Sequence, residues 1–217
     1  MSIRSYINRI RHNRGYGVQS PSAFFFVTEV LKEKLPYYAY SIIEEIADKK
    51  GFFSNRHAKE LFRIANHFNP AGCIAVESPE AAAITALARP ISRKYCITGD
   101  PGCIKESIKE LLAQHDCRIA GGDIRIALSK AIAETGNIGL LYIGSCEEQA
   151  SLLATALPHT NKKSIIIVEG INRDKECRTW WQDITEDPRT IVTYDMYSYG
   201  ILLFDDEKRK QNYTLKR

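Results

Sequence analysis

From residue 58 to residue 204 the chain alternates between short apolar runs and longer amphipathic stretches, and few folds accommodate that rhythm. The runs CIAVE (73–77), KYCIT (94–98), CRIA (117–120), GLLYI (139–143) and SIIIV (164–168) have the length and composition of strands. Stretches 80–88, 102–114, 124–134, 147–157 and 174–185 read as the helices that follow them. Strands this uniformly apolar are buried on both faces, which predicts a doubly wound, mostly parallel α/β sheet covered by helices on each side. The ending breaks the rhythm. TIVTYDM (190–196) and YGILLF (199–204) are two strands with two residues between them, too few for a crossover, so they must pair as an antiparallel hairpin. QNYTLKR (211–217) is a candidate further edge strand.

The regular region opens with the helix AKELFRIANHF (58–68), whose Leu61, Phe62, Ala65 and Phe68 share a face and which stops at Asn69-Pro70. The preceding residues divide from it as a helical N-terminal extension (1–57) ahead of an α/β domain (58–217). One extension helix precedes Gly15. A second starts at Ser20-Pro21, a cap followed by proline at the first helical position, and a third resumes near Ser41.

No apolar run approaches the roughly 18 residues needed to span a bilayer, and MSIRSYINRIRHNRGYG lacks the apolar core of a secretory signal. A cytoplasmic protein with no membrane partner is therefore expected. The six cysteines are scattered, without a CxxC pair or a Cys/His cluster at zinc spacing. Cys73, Cys96 and Cys117 fall in strands, where a reduced thiol behaves as a small core hydrophobe. The net charge of +4 hides a division: residues 1–14 carry four arginines and residues 208–217 five cations, both without an acid, so the residues between them are acidic by −5. Basic ends on an acidic body could meet nucleic acid or an acidic partner. They are not interleaved with a stacking platform, which argues for solvated tails.

The phrases GVQSPSAFFFV, ITGDPG and GGDIRIAL, the terminal YDMYSYGILLF and the five βα units closed by a hairpin together resemble the class I S-adenosylmethionine-dependent methyltransferases, in particular small O-methyltransferase-like proteins. The resemblance implies a Rossmann-like, seven-stranded sheet and a cofactor, S-adenosylmethionine. It also implies four motifs, each of which can be tested against the residues.

The first is an acid followed by glycines in the turn after the first strand, where glycine reaches φ > 0 and lets the backbone approach the cofactor. Here the turn reads Glu77-Ser78-Pro79-Glu80-Ala81, with no glycine. Ser78 and Pro79 form instead an ordinary helix start. The second is an acid at the end of strand 2 that holds the ribose; Thr98 stands there, with Asp100 two residues on and equally suited to a turn. The third, an acid toward the adenine end, is matched by Asp123, which is also an ideal N-cap. The fourth is a set of metal-holding acids. Gly144 stands at the first, and after strand 5 Glu169 is followed by Gly170 and Asn172, so no metal is expected.

Glu77, Ser78, Asp100 and Asp123 are therefore the candidate cofactor-binding residues, as vestiges, and no catalytic residue is identified. The leading reading is a methyltransferase fold with a degenerate cofactor and metal site and a binding role, toward a protein partner or a second copy of itself. The alternatives are an active O-methyltransferase with a divergent pocket using Glu77, Asp100 and Asp123, and a module that binds nucleic acid or an acidic partner through its basic ends. Three further features are weighed. His115-Asp116-Cys117 are chain neighbours that point apart, not a triad. Ser145-Cys146-Glu147 lies at a strand C-terminal end, where α/β sheets bind ligands. Of Trp180-Trp181 only one can face the core fully.

Overall fold

A computed structural model describes residues 20–47 and 53–215. The strands are β1 (Gly72–Val76), β2 (Arg93–Ile97), β3 (Cys117–Ala120), β4 (Leu140–Ile143), β5 (Ile165–Glu169), β6 (Val192–Asp195), β7 (Tyr199–Leu203) and β8 (Gln211–Thr214). They form one sheet in the order β3-β2-β1-β4-β5-β7-β6-β8. The chain steps outward from β1 to β3, then returns with β4 on the other side of β1. This reversal is the switch point beside which such sheets open a ligand crevice. β7 runs antiparallel to both β5 and β6, as three intervening residues demand. The seven expected strands are joined by β8, which lies parallel to β6 at one edge. β3 forms the other edge, and there the expected burial on both faces gives way to partial exposure.

Strand residues alternate between two apolar clusters, as the pleat requires. Cys73, Ala75, Tyr142 and Ile167 face the first, and Ile74, Val76, Ile143 and Val168 the second. The second face is covered by α6 (Ile124–Thr135), α7 (Gln149–Ala156) and α8 (Lys175–Glu186). The first is covered by α3 (Asn55–Phe68), α4 (Pro79–Ala88) and α5 (Glu106–Gln114), together with the preceding segment. That segment consists of α1 (Pro21–Phe25), a π-helical continuation (Phe26–Leu31) and α2 (Tyr40–Ile46). Ala23, Val27 and Ile43 are buried in the same cluster as the strands.

Helix starts follow local chemistry. Ser54 caps α3 by accepting from the His57 N–H, which begins the helix ahead of the expected start at Ala58, and Asn69 ends it at φ 51°. The stretch 102–114 divides: Asp100 caps a 3-10 turn over Pro101–Cys103, and α5 begins only at Glu106. The expected helix before Gly15 and the arginines of residues 1–14 lie outside the described residues. Trp181 is buried against Gly200 of β7, while Trp180 is half-buried at the cluster's edge. Within the basic C-terminal cluster, Lys210 donates to the carbonyls of Asp187 and Thr190, and Lys208 pairs with Asp205. Among the described residues no helix is long and apolar enough to cross a membrane.

Candidate functional site

The crevice lies at the C-terminal ends of β1 to β5, and the turn after β1 decides its shape. Glu77 continues the ladder, its N–H donating to the Ile97 carbonyl at 2.8 Å, then turns the chain out at φ 52°. A left-handed conformation costs a non-glycine residue about 1–2 kcal/mol. The compensation is visible: one carboxylate oxygen of Glu77 accepts the Gly99 N–H at 2.6 Å, tying the β1 turn to the β2 turn. Ser78 is buried, and its hydroxyl accepts the Ala81 N–H at 3.3 Å. Pro79 occupies the first helical position and offers no N–H.

The β4 side closes on this turn. The Gly144 N–H donates to the Val76 carbonyl at 2.8 Å, and a Cβ on Gly144 would stand 2.2 Å from the Glu77 carbonyl oxygen. Glycine is required there because backbone meets backbone. Gln149, buried at the head of α7, donates to the carbonyls of Gly144 (2.8 Å) and Glu169 (2.7 Å), which stitches β4 to β5.

Asp100 and Asp123 sit in the next two turns, and each spends its carboxylate locally. Asp100 accepts from the Cys103 thiol (3.0 Å) and the Gly102 N–H (2.8 Å), and these bonds hold it below the usual carboxylate range. Asp123 accepts from the amides of Ile126 (3.1 Å) and Arg125 (2.9 Å) at the start of α6 and is lowered by them. Thr98 is buried, its N–H bonded to the Ala120 carbonyl. The fold thus brings Glu77, Ser78, Asp100 and Asp123 to the same end of three adjacent strands. Only Glu77 reaches across from its own loop to another.

Ser145 and Cys146 lead into a cleft of about 440 Å³ walled by Arg173, Cys177 and Trp180. Arg173 donates to Ser145 Oγ (2.9 Å), Asp174 (3.0 Å) and Cys177 Sγ (3.2 Å). Asp174 is held down to about 2, first by the Cys177 N–H and then by Arg173. Cys146 is pushed up by burial. Asn172 bonds the Tyr197 carbonyl and accepts from Arg178. No group of three His, Cys, Asp or Glu residues among those described is placed to hold a metal ion. His115 and Asp116 lie at the opposite, N-terminal end of β3, away from the crevice, with Asp116 at φ 52° in the turn.

Sequence reading missed one polar group. His57 stacks on the Tyr199 ring at 3.8 Å and 7°, and the Tyr199 hydroxyl donates to Glu60 at 2.6 Å. Glu60 also accepts from Arg56 at 2.8 Å. His57, Glu60 and Tyr199 are all buried, and Tyr199 pairs with Glu169 across the β5–β7 ladder. On the helix 58–68 Glu60 reads as a solvated position, and nothing local signals a tyrosine 139 residues away.

The fold these elements define is that of the class I S-adenosylmethionine-dependent methyltransferases. Among solved structures, the chain is similar to the methyltransferase PaMTH1 of Podospora anserina bound to S-adenosylhomocysteine, at 12% identity over 87% of this chain and 97% of that one, with a TM-score of 0.61. A methyltransferase from Geobacter sulfurreducens aligns at 17% identity over 81% of this chain and 95% of that one, TM-score 0.56. MycE, a methyltransferase of the mycinamycin biosynthetic pathway in complex with Mg and S-adenosylhomocysteine, aligns at 13% identity over 84% of this chain and 52% of that one, TM-score 0.54. No family model and no curated protein matches the sequence. At such identities the likeness establishes the fold.

Groups that the resemblance assigns to the cofactor already have partners within the chain. The Gly99 N–H is taken by Glu77, the Ala81 N–H by Ser78, and both aspartates by their own turns.

Proposed function

We propose that this protein is a methyltransferase-fold binding module whose S-adenosylmethionine crevice is degenerate, and whose role is recognition of a protein partner or a second copy of itself. The reading rests on one observation: Glu77, at φ 52°, spans from β1 to the Gly99 N–H and packs its carbonyl on Gly144. These contacts tie the β1 turn to the turns of both neighbouring strands, where the resemblance would place the cofactor. All six cysteines are free thiols, which supports a cytoplasmic setting. Calorimetric titration with S-adenosylmethionine and S-adenosylhomocysteine, without and with Mg²⁺, tests the proposal. No saturable heat at millimolar ligand is expected; micromolar binding would overturn it.

A second reading, an active O-methyltransferase with a divergent pocket, is favoured by the placement of Glu77, Asp100 and Asp123 in the turns after three adjacent strands. It requires those carboxylates to leave their present partners. Methyl transfer that survives the E77A/D123A double substitution would dispose of it.

A further inference from the structure

A cleft of about 780 Å³ lies away from this crevice, between the end of the π-helical stretch and the first turns of α3. That is the size of a small-molecule site, which typically measures about 300–1,000 Å³. Its described walls carry Lys32 and Lys34 on one side and Arg56, Lys59 and Arg63 on the other. The spacing of the last three puts them on one face of α3. Two carboxylates, Glu33 and Glu60, also line it, and both are already held. Glu33 accepts from the Tyr37 hydroxyl, and Glu60 from Tyr199 and Arg56. Glu44 of α2 pairs with Lys59 at 2.5 Å, and among the described residues, with Lys32 set aside, the four cations Lys34, Arg56, Lys59 and Arg63 stand against the three carboxylates Glu33, Glu44 and Glu60.

Arg63 is the built part of the wall. Its side chain is more than nine-tenths buried, and it donates from Nε to the Val30 carbonyl (2.7 Å), from Nη2 to the Leu31 carbonyl (2.6 Å) and from Nη1 to the Tyr40 hydroxyl (2.9 Å). Those bonds use three of the five N–H donors of a guanidinium. The α3 N-terminus opens at the same place: Asn55 lines the cleft, and the amides of the first helical turn before His57 have no intrahelical acceptor. Glu33 keeps its charge, since a hydroxyl is its partner, and the excess of lysine and arginine over carboxylate on this concave wall favours an anion.

We propose that this cleft is a binding site for a small phosphorylated molecule, held by Arg56, Lys59, Arg63 and Lys34. A single-stranded nucleic acid fits less well, because no aromatic ring lines the cleft among the described residues: Tyr38 is exposed but outside it, and the neighbouring rings pack on one another. Tyr37 lies 5.3 Å from Tyr40 and 5.2 Å from Phe62, and Lys59 covers the Tyr40 ring. None of these three rings is presented for stacking on bases. The site stands independently of whether the crevice at β1 takes a cofactor.

Calorimetric titration of the full-length protein with inorganic pyrophosphate, at two ionic strengths, is the test. The wild type is expected to bind one equivalent saturably, and K34Q/K59Q to bind about tenfold more weakly, each lost charged contact being worth a few-fold. K162Q, which removes only the surface pair with Glu207, should bind like the wild type. Melting curves establish that each variant is folded, and Lys34 is exposed, so K34Q alone keeps the question open to refutation should the double variant fail. Absence of saturable heat overturns the proposal. So does equal weakening by K162Q, or an oligonucleotide that binds more tightly than pyrophosphate and is unaffected by K34Q/K59Q; either result would assign the affinity to diffuse surface charge.

Discussion

Glu77 shows how one residue can tie two turns together. It accepts a left-handed backbone and turns its side chain into a strut between two loops. Whether a carboxylate is a strut or a ligand depends on what already holds it, and Asp100 and Asp123 are held by their own helix starts. Asp187 is the clearest titrating case. Arg189 donates to both its oxygens and holds it down to about 2, below the ordinary aspartate value of about 3.9. A depressed carboxylate stabilises the fold above its unfolded pKa, and the contribution is lost as pH falls through the folded one. Thermal melting between pH 5 and pH 2 should therefore show an acid limb that is shallower in D187N; identical limbs would assign the acid sensitivity to other groups.

At the scale of elements, the strand–helix alternation was legible because the central strands are buried on both faces and the helices on one. CRIA (117–120) coincides with β3, and the other strands fall within a residue or two of the apolar runs. What could not be read was contact at a distance. Gly200 sits mid-strand because the Trp181 ring lies where its side chain would be, with a Cβ only 2.2–2.6 Å from ring atoms. Gly200→Ala should destabilise the protein by about 1–3 kcal/mol in urea denaturation, as overpacking does. Pairing it with Trp181→Leu should recover part of that loss in a double-mutant cycle. Strict additivity would mean that the ring does not set the β7–α8 spacing.

At the scale of the molecule, the N-terminal helices and the sheet bury one another. Phe26 packs against Phe68 and Tyr194, and Arg63 of α3 closes the carbonyls of the π-helical stretch. The described part of the N-terminal extension, residues 20–47, therefore shares its core with the α/β body. Heat should unfold the two together, with calorimetric and van't Hoff enthalpies in agreement. Two resolved transitions would mean that the N-terminal helices form an independent unit.

The sequence alone determined the strands, the helices between them, the closing hairpin and the glycine-free turn, because all of these follow from local periodicity and from which residues tolerate which backbone angles. It also placed Glu77, Ser78, Asp100 and Asp123 in the turns where a ligand would be met. Only the tertiary structure decided what those groups do there, since a hydrogen-bond partner such as Gly99 for Glu77 belongs to another loop. The same holds for the buried His57–Tyr199–Glu60 group and for the cationic cleft beside it. Their parts are separated along the chain, and burial and charge pairing depend on which surfaces the fold brings together.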